Sequence, residues 1–189
     1  MQTASRLEHF PISFFAMIMG LSGLTIAWEK IQHVFSLDFH ITSSMAGITA
    51  VVFLALVITY VTKLLRFPDA VAQELHNPIK LNFFPAISIS LLLLSIAFLS
   101  TSQVLSHWLW LAGSVLHLGL TLFIFNAWVH HEHFEVHHLN PAWFIPAVGN
   151  VLVPVAGTQL GYTEVYRYAG GKKDWQTTGG KLVAGPTPG

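Results

Sequence analysis

Residues 81–131 read LNFFPAISISLLLLSIAFLSTSQVLSHWLWLAGSVLHLGLTLFIFNAWVHH and contain no Asp, Glu, Lys or Arg. An α-helix needs about 20 apolar residues to cross the roughly 30 Å hydrocarbon layer of a bilayer. The stretch is too long for one crossing and long enough for two. Ser100-Thr101-Ser102-Gln103 supplies a short polar turn near its middle, so it reads as a helical hairpin in lipid. The same reading extends outward. Uncharged stretches also run from Phe10 to Trp28, from Phe39 to Thr62 and from Val136 to Thr163. Five spans are expected, at about 10–28, 45–65, 83–99, 105–129 and 141–160. Pro146, Gly149, Pro154 and Gly157 interrupt the fifth.

Composition points the same way. Only 10 % of the 189 residues are charged, where a soluble domain carries about 25 %. Such hydrophobicity excludes a disordered chain. Nine basic residues balance nine acidic ones; without a basic patch, no nucleic-acid partner is expected. No Cys is present, which removes disulfides, thiolate metal sites and a Cys nucleophile. A signal peptide is a poor reading of the first span. Its apolar stretch exceeds an h-region of about 7–15 residues, and no small-x-small cleavage site follows. The fold class is therefore all-α integral membrane, made of helical hairpins.

Loop charge gives an orientation. Arg6, Lys63, Arg66 and Lys80 fall on the N-terminal side, and only Lys30 falls on the other before the tail. The positive-inside rule then predicts a cytoplasmic N-terminus in a multi-pass protein of the cell's inner (plasma) membrane. A fifth crossing places Arg167, Lys172, Lys173 and Lys181 outside, against that rule. Either the fifth segment does not span stably or the tail is foreign to the architecture. Residues 165–189 are rich in Gly, lack a helical period and read as an irregular tail. A flexible terminus and a gene-level truncation or frame change both fit it.

His117 is the one ionisable residue deep in any of the first four spans. Such a group is costly in lipid and faces the bundle or a cavity, which makes it a candidate buried proton or polar site. The plainer reading is a neutral imidazole bonded to a Ser, Thr or carbonyl of a neighbouring helix. The absence of fixed charge elsewhere in these spans suits a channel, where ions must bind weakly enough to leave. Residues 130–138 hold five His and two Glu. His131-Glu132 begins an H-E-x-x-H pattern, but Glu135 occupies the second His position, so the zincin motif fails. A helix end at headgroup level explains the segment; no metal and no cofactor are expected.

Prolines recur in the first, third and fifth spans (Pro11, Pro85, Pro146, Pro154) and are absent from the second and fourth. Proline removes a helix hydrogen bond, and broken backbone is tolerated in a membrane where it is buried or lines a cavity. Pro11 and Pro85 stand near span starts, whereas Pro146 and Pro154 read as interior. The alternation suggests kinked inner helices along a path and straight outer ones facing lipid. The small-residue pairs Ala46/Ala50 and Ala86/Ser90 add little, being common by chance.

Three motifs carry a family resemblance. His9-Phe10-Pro11-Ile12-Ser13-Phe14-Phe15-Ala16-Met17-Ile18-Met19-Gly20 resembles the first helix of TehA-type proteins. His76-Asn77-Pro78 with Lys80-Leu81-Asn82-Phe83-Phe84-Pro85-Ala86-Ile87-Ser88-Ile89-Ser90 resembles their entry to the third. Asn140-Pro141-Ala142-Trp143-Phe144-Ile145-Pro146-Ala147-Val148-Gly149-Asn150 with Val153-Pro154-Val155-Ala156-Gly157 resembles the fifth. The order and spacing match over about residues 6–164, so a partial transporter or channel domain is expected over 1–164. The family is the tellurite-resistance/dicarboxylate transporter family, which includes plant slow anion channels. The resemblance implies a ring of ten helices around a central pore, odd helices innermost, in trimers with one pore per subunit. It implies passage of small monovalent anions or C4-dicarboxylates, in some members linked to tellurite resistance.

The implied pore-lining candidates are Ser13 and Gly20 on the first helix, Pro85 and Ser88 on the third, and Pro146 and Gly149 on the fifth. The family's gate, a Phe on the ninth helix, has no counterpart among about five helices, so no gating residue is carried over. The tail does not resemble a sixth helix, which favours truncation. The leading expectation is channel-like anion or dicarboxylate transport. One alternative is a proton-coupled dicarboxylate carrier, in which His117→Gln abolishes pH-dependent flux. Another is a truncated remnant that inserts without transporting, or that assembles with a complementary half. An enzyme is not expected, since no nucleophile–base pair is visible.

Overall fold

The computed structural model describes residues 6–36, 41–130 and 141–162. The tail and nearly all of the His-rich segment 130–138 lie outside the described residues. Six α-helices follow in order: α1 Phe15–Phe35, α2 Ile41–Arg66, α3 Pro68–His76, α4 Pro85–Ala97, α5 Gln103–His130 and α6 Ile145–Gln159. Among the described residues there is no strand. With the 3-10 turns that lead into them, five helices are long and apolar enough to cross a membrane: Ile12–Phe35, Ile41–Arg66, Lys80–Ala97, Gln103–His130 and Pro141–Gln159.

The outer helices show how the sequence sorts its faces. On α2 the buried residues are Thr42, Ala46, Thr49, Phe53, Tyr60 and Lys63, a stripe at helical spacing. Val51, Leu54, Ile58, Val61 and Leu65 are exposed on the remainder. On α5 the buried stripe is Ser106, Gly113, His117, Thr121, Ile124 and Ala127, and Trp108, Val115, Leu118 and Leu122 are exposed. In lipid this inverts the soluble pattern. The exposed face is apolar, and the buried face carries the small and hydroxyl residues that let helices approach and bond.

Helix α4 is the centre. Its span is 72 % buried, against 17–28 % for the other four. It packs against α1, α2, α5 and α6. Hydroxyls lie at its contacts: Ser106 of α5 donates to the Ser95 backbone carbonyl at 2.6 Å, and Ser90, whose proton is shared with the Ala86 carbonyl at 2.6 Å, stands 3.3 Å from the Phe15 carbonyl of α1. Phe15, Phe53, Tyr60 and Phe84 form an edge-to-face aromatic chain from α1 through α2 to the entry of α4.

Four details depart from the sequence reading. First, α1 continues past Glu29 and Lys30 to Phe35, ending where Ser36 turns left-handed (φ 51°) and its N–H bonds the Gln32 carbonyl. Charges near a helix end reach back to the interface and do not terminate the helix. Second, α3 is an added helix inside the charged loop. Pro68 opens it and Asp69 sits in its first turn, both favourable there. Third, Pro146 is not interior to its helix; it lies in the first turn of α6, where its missing N–H costs nothing. Pro154 is the one proline inside a described helix. Fourth, the odd spans are distinguished at their entries: each opens with a 3-10 turn (Ile12–Phe14, Lys80–Phe83, Pro141–Phe144) before its α-helix. The predicted hairpin turn is present, with Ser102 Oγ accepting from the Leu105 N–H at 3.3 Å where α5 begins.

Candidate functional site

His117 projects from α5 between α4 and α6 and has no exposed surface. Its Nδ1 lies 2.9 Å from Ser88 Oγ of α4. Its Nε2 lies 3.0 Å from the Pro146 carbonyl of α6 and 3.2 Å from Thr121 Oγ1 one turn along α5. A carbonyl only accepts, so Nε2 carries a proton and donates to Pro146. In the neutral ring, Nδ1 then accepts from the Ser88 hydroxyl. Ser88 also lies 2.8 Å from the Pro85 carbonyl, but its single proton serves one acceptor at a time. The Pro146 carbonyl further receives Asn150 Nδ2 at 3.1 Å.

Gly149 completes this arrangement by having no side chain. A Cβ there would stand 2.0 Å from His117 Cε1 and 2.3 Å from Nε2. Four sequence candidates therefore meet: Ser88, His117, Pro146 and Gly149. Pro85 is buried at the start of α4. Ser13 is half-buried in the turn before α1, and Gly20 is exposed, with open space where a Cβ would be. Neither bonds to His117.

A second polar cluster lies at the N-terminal end of the bundle, and the sequence reading missed it by counting its lysines only as loop charges. Lys63 is 1 % exposed and Glu74 4 %. Lys63 Nζ stands 3.2 Å from Glu74 Oε2 and donates to the Phe10 carbonyl at 2.8 Å. Tyr60 Oη donates to the same carboxylate oxygen at 2.8 Å. Lys80, half exposed, reaches within 4.0 Å of Oε1. A cavity of about 140 Å³ opens beside them, lined by Glu8, His9, Gln73 and Lys80 among others. The available signal was the i, i+3 spacing of Tyr60 and Lys63, which continues the buried stripe of α2.

At the opposite end, Trp110 Nε1 donates to the Val153 carbonyl at 2.9 Å, and its ring stacks on Tyr162 at 4.7 Å. Trp110→Phe is expected to keep the stack and lose the bond. The cost is about 0.6 kcal/mol, the average for interhelical hydrogen bonds in membranes, and at most about 1.7 kcal/mol. A melting scan of the detergent-purified protein checks it.

Between these two ends, the described bundle interior holds hydroxyls, one imidazole and backbone carbonyls, but no carboxylate, ammonium or guanidinium. Among the described residues no three His, Asp or Glu side chains are grouped to hold a metal. Five apolar spans, four of them packed around the buried α4, define a multi-pass α-helical membrane protein. The sequence profile of the voltage-dependent anion channel family matches residues 9–175, and the chain belongs to that family. It is 30 % identical over 177 residues to the S-type anion channel SLAH3 of Arabidopsis thaliana, covering 87 % of this chain and 27 % of that one. It is 23 % identical over 158 residues to an uncharacterized transporter of Methanocaldococcus jannaschii, covering 82 % and 46 %. It is 23 % identical over 141 residues to a tellurite resistance protein TehA homolog of Haemophilus influenzae, covering 73 % and 42 %. The chain thus spans less than half the length of these curated relatives.

Proposed function

We propose that this chain forms part of a channel-like path for anions across the cell's inner membrane, with its N-terminus in the cytoplasm. Small monovalent anions are the first substrates in this reading, and C4-dicarboxylates the second. The observation that carries it is the polar but uncharged interior between the two ends of the bundle, in a member of this family. Hydroxyls and dipoles attract an anion weakly, and weak attraction lets it leave again. A fixed ammonium in the path would hold it.

The path runs along α1, α4 and α6, whose entries are irregular, with α2 and α5 outside them. Ser13 and Gly20 offer polar and open surface on α1. Pro85 and Ser88 on α4, and Pro146 and Gly149 on α6, form the wall behind. A homotrimer with one path per subunit accords with the family. The TehA-type relative extends the reading to tellurite tolerance of the host cell.

The test is flux from liposomes containing the purified chain, with chloride, nitrate and malate compared. The expected result is release of all three with little saturation, chloride and nitrate ahead of malate. A correctly inserted chain that releases none of them overturns the reading.

A further inference from the structure

We propose that His117 is a spacer that fixes the separation of α4 and α6, with Gly149 as its seat, so that an outer helix sets the width of the path. The width claim rests on the anion-path reading above. The spacer claim rests on geometry alone.

The imidazole is a rigid plate bonded on both sides. Nδ1 meets Ser88 on α4 and Nε2 meets the Pro146 carbonyl on α6. Thr121 Oγ1, one turn away on α5, lies 3.2 Å from Nε2 and can only accept a share of the same proton. The ring is wholly buried. It meets α6 at Gly149, one of that helix's two glycines, where a Cβ would overlap it at 2.0 Å; the other, Gly157, faces Trp110. The backbone of α6 therefore lies directly against the ring. Gly149 stands three residues after Pro146, on the same face of α6, so the carbonyl bond and the backbone contact act at one point. α4 and α6 also pack directly on each other; at Gly149, moving α6 further in is blocked by the ring. Moving it away breaks the Pro146 bond. Gly20 on α1 shows no such match, with nothing within 4 Å of a Cβ. With Ser88 donating to it, the buried imidazole has both nitrogens bonded and no polar deficit that a passing ion would relieve. Its effect on the path is positional.

The two residues are matched in size, so their substitutions must interact. Gly149→Ala overfills the seat. His117→Ala empties it and removes the bonds to α4 and α6. The double variant H117A/G149A places a methyl group in the vacated volume. The first arm compares the four proteins in detergent by chromatographic monodispersity and melting temperature. Gly149→Ala is expected to lose the folded peak, and the double variant to recover it. A double variant no better than G149A alone overturns the spacer.

The second arm measures the malate-to-chloride flux ratio in the variants that fold. A change of about tenfold in that ratio is expected for His117→Ala, the lower end of what one methylene of space discriminates. A purely stabilising His117 would lower both fluxes together, and an unchanged ratio overturns the width claim. If the unaltered chain passes no anion, the transport reading and the width claim fall together. The spacer itself is then decided by the first arm.

Discussion

Glu74→Ala is expected to destabilise the folded chain by about 3–5 kcal/mol, the cost of leaving a buried charge without its partner. Lys63 is the charge left behind. It is 1 % exposed and keeps only the Phe10 carbonyl at 2.8 Å and the Tyr60 ring face at 5.5 Å. Neither offsets an ammonium removed from water. Lys63→Met is expected to cost less. Glu74 then keeps the Tyr60 hydroxyl at 2.8 Å and gains weight from Lys80, which stands at 4.0 Å and is free to move closer. Removing both charges in K63M/E74M is milder than E74A, because no lone charge remains. It leaves the Tyr60 hydroxyl without an acceptor, about 1–3 kcal/mol if no water reaches it. Adding Tyr60→Phe is expected to recover most of that. Unfolding midpoints in detergent give the order directly. An E74A protein as stable as the double variant would show that the pair is hydrated and carries little.

That network also shows where reading a sequence stops. Lys63 and Lys80 were visible as charges, and their count oriented the chain. What Lys63 does depends on the short helix α3, which carries Glu74 back under α2. The start of α3 was written in Pro68 and Asp69, but nothing local says where it folds to. The five spans were legible because lipid demands length and apolarity from each segment alone. Their ends were not, since Glu29 and Lys30 can ride on a helix that continues to Phe35. His117 was visible as an oddity in an apolar run. Its partners Ser88 and Pro146 are each 29 residues away, and only the packing of α4, α5 and α6 brings them together. Gly149 is the sharpest case. In sequence it looked like a helix interruption, and in the fold it is the space that a ring occupies.

Gly113→Leu is expected to be the most damaging substitution in the α4–α5 hairpin, costing about 1–3 kcal/mol by overpacking and more if the hairpin opens. A Cβ at position 113 would stand 3.1 Å from Leu91 Cβ and 3.1 Å from Leu92 Cγ and Cδ2. Gly113→Ala sets two effects of similar size against each other. Alanine gains up to about 1 kcal/mol of helix propensity, and the contact demands a shift of a few tenths of an ångström. Leucine adds three further carbons to a seam that has no room for them. In water, hydrophobic burial would still press the helices together. In lipid the acyl chains are as apolar as leucine, so little resists separation once packing is spoiled. The bonds across the seam are lost with it: Ser106 to the Ser95 carbonyl at 2.6 Å and His117 to Ser88 at 2.9 Å. Gly119 on the same helix is exposed and has nothing within 4 Å of a Cβ. Gly119→Leu is therefore the matched control, expected to be near neutral. Equal melting temperatures for the two leucine variants would show that α4 and α5 do not pack through Gly113. A wide gap between them would place the hairpin's stability in the closeness of its backbones, which in this solvent supplies the packing and brings the bonding groups of the seam together.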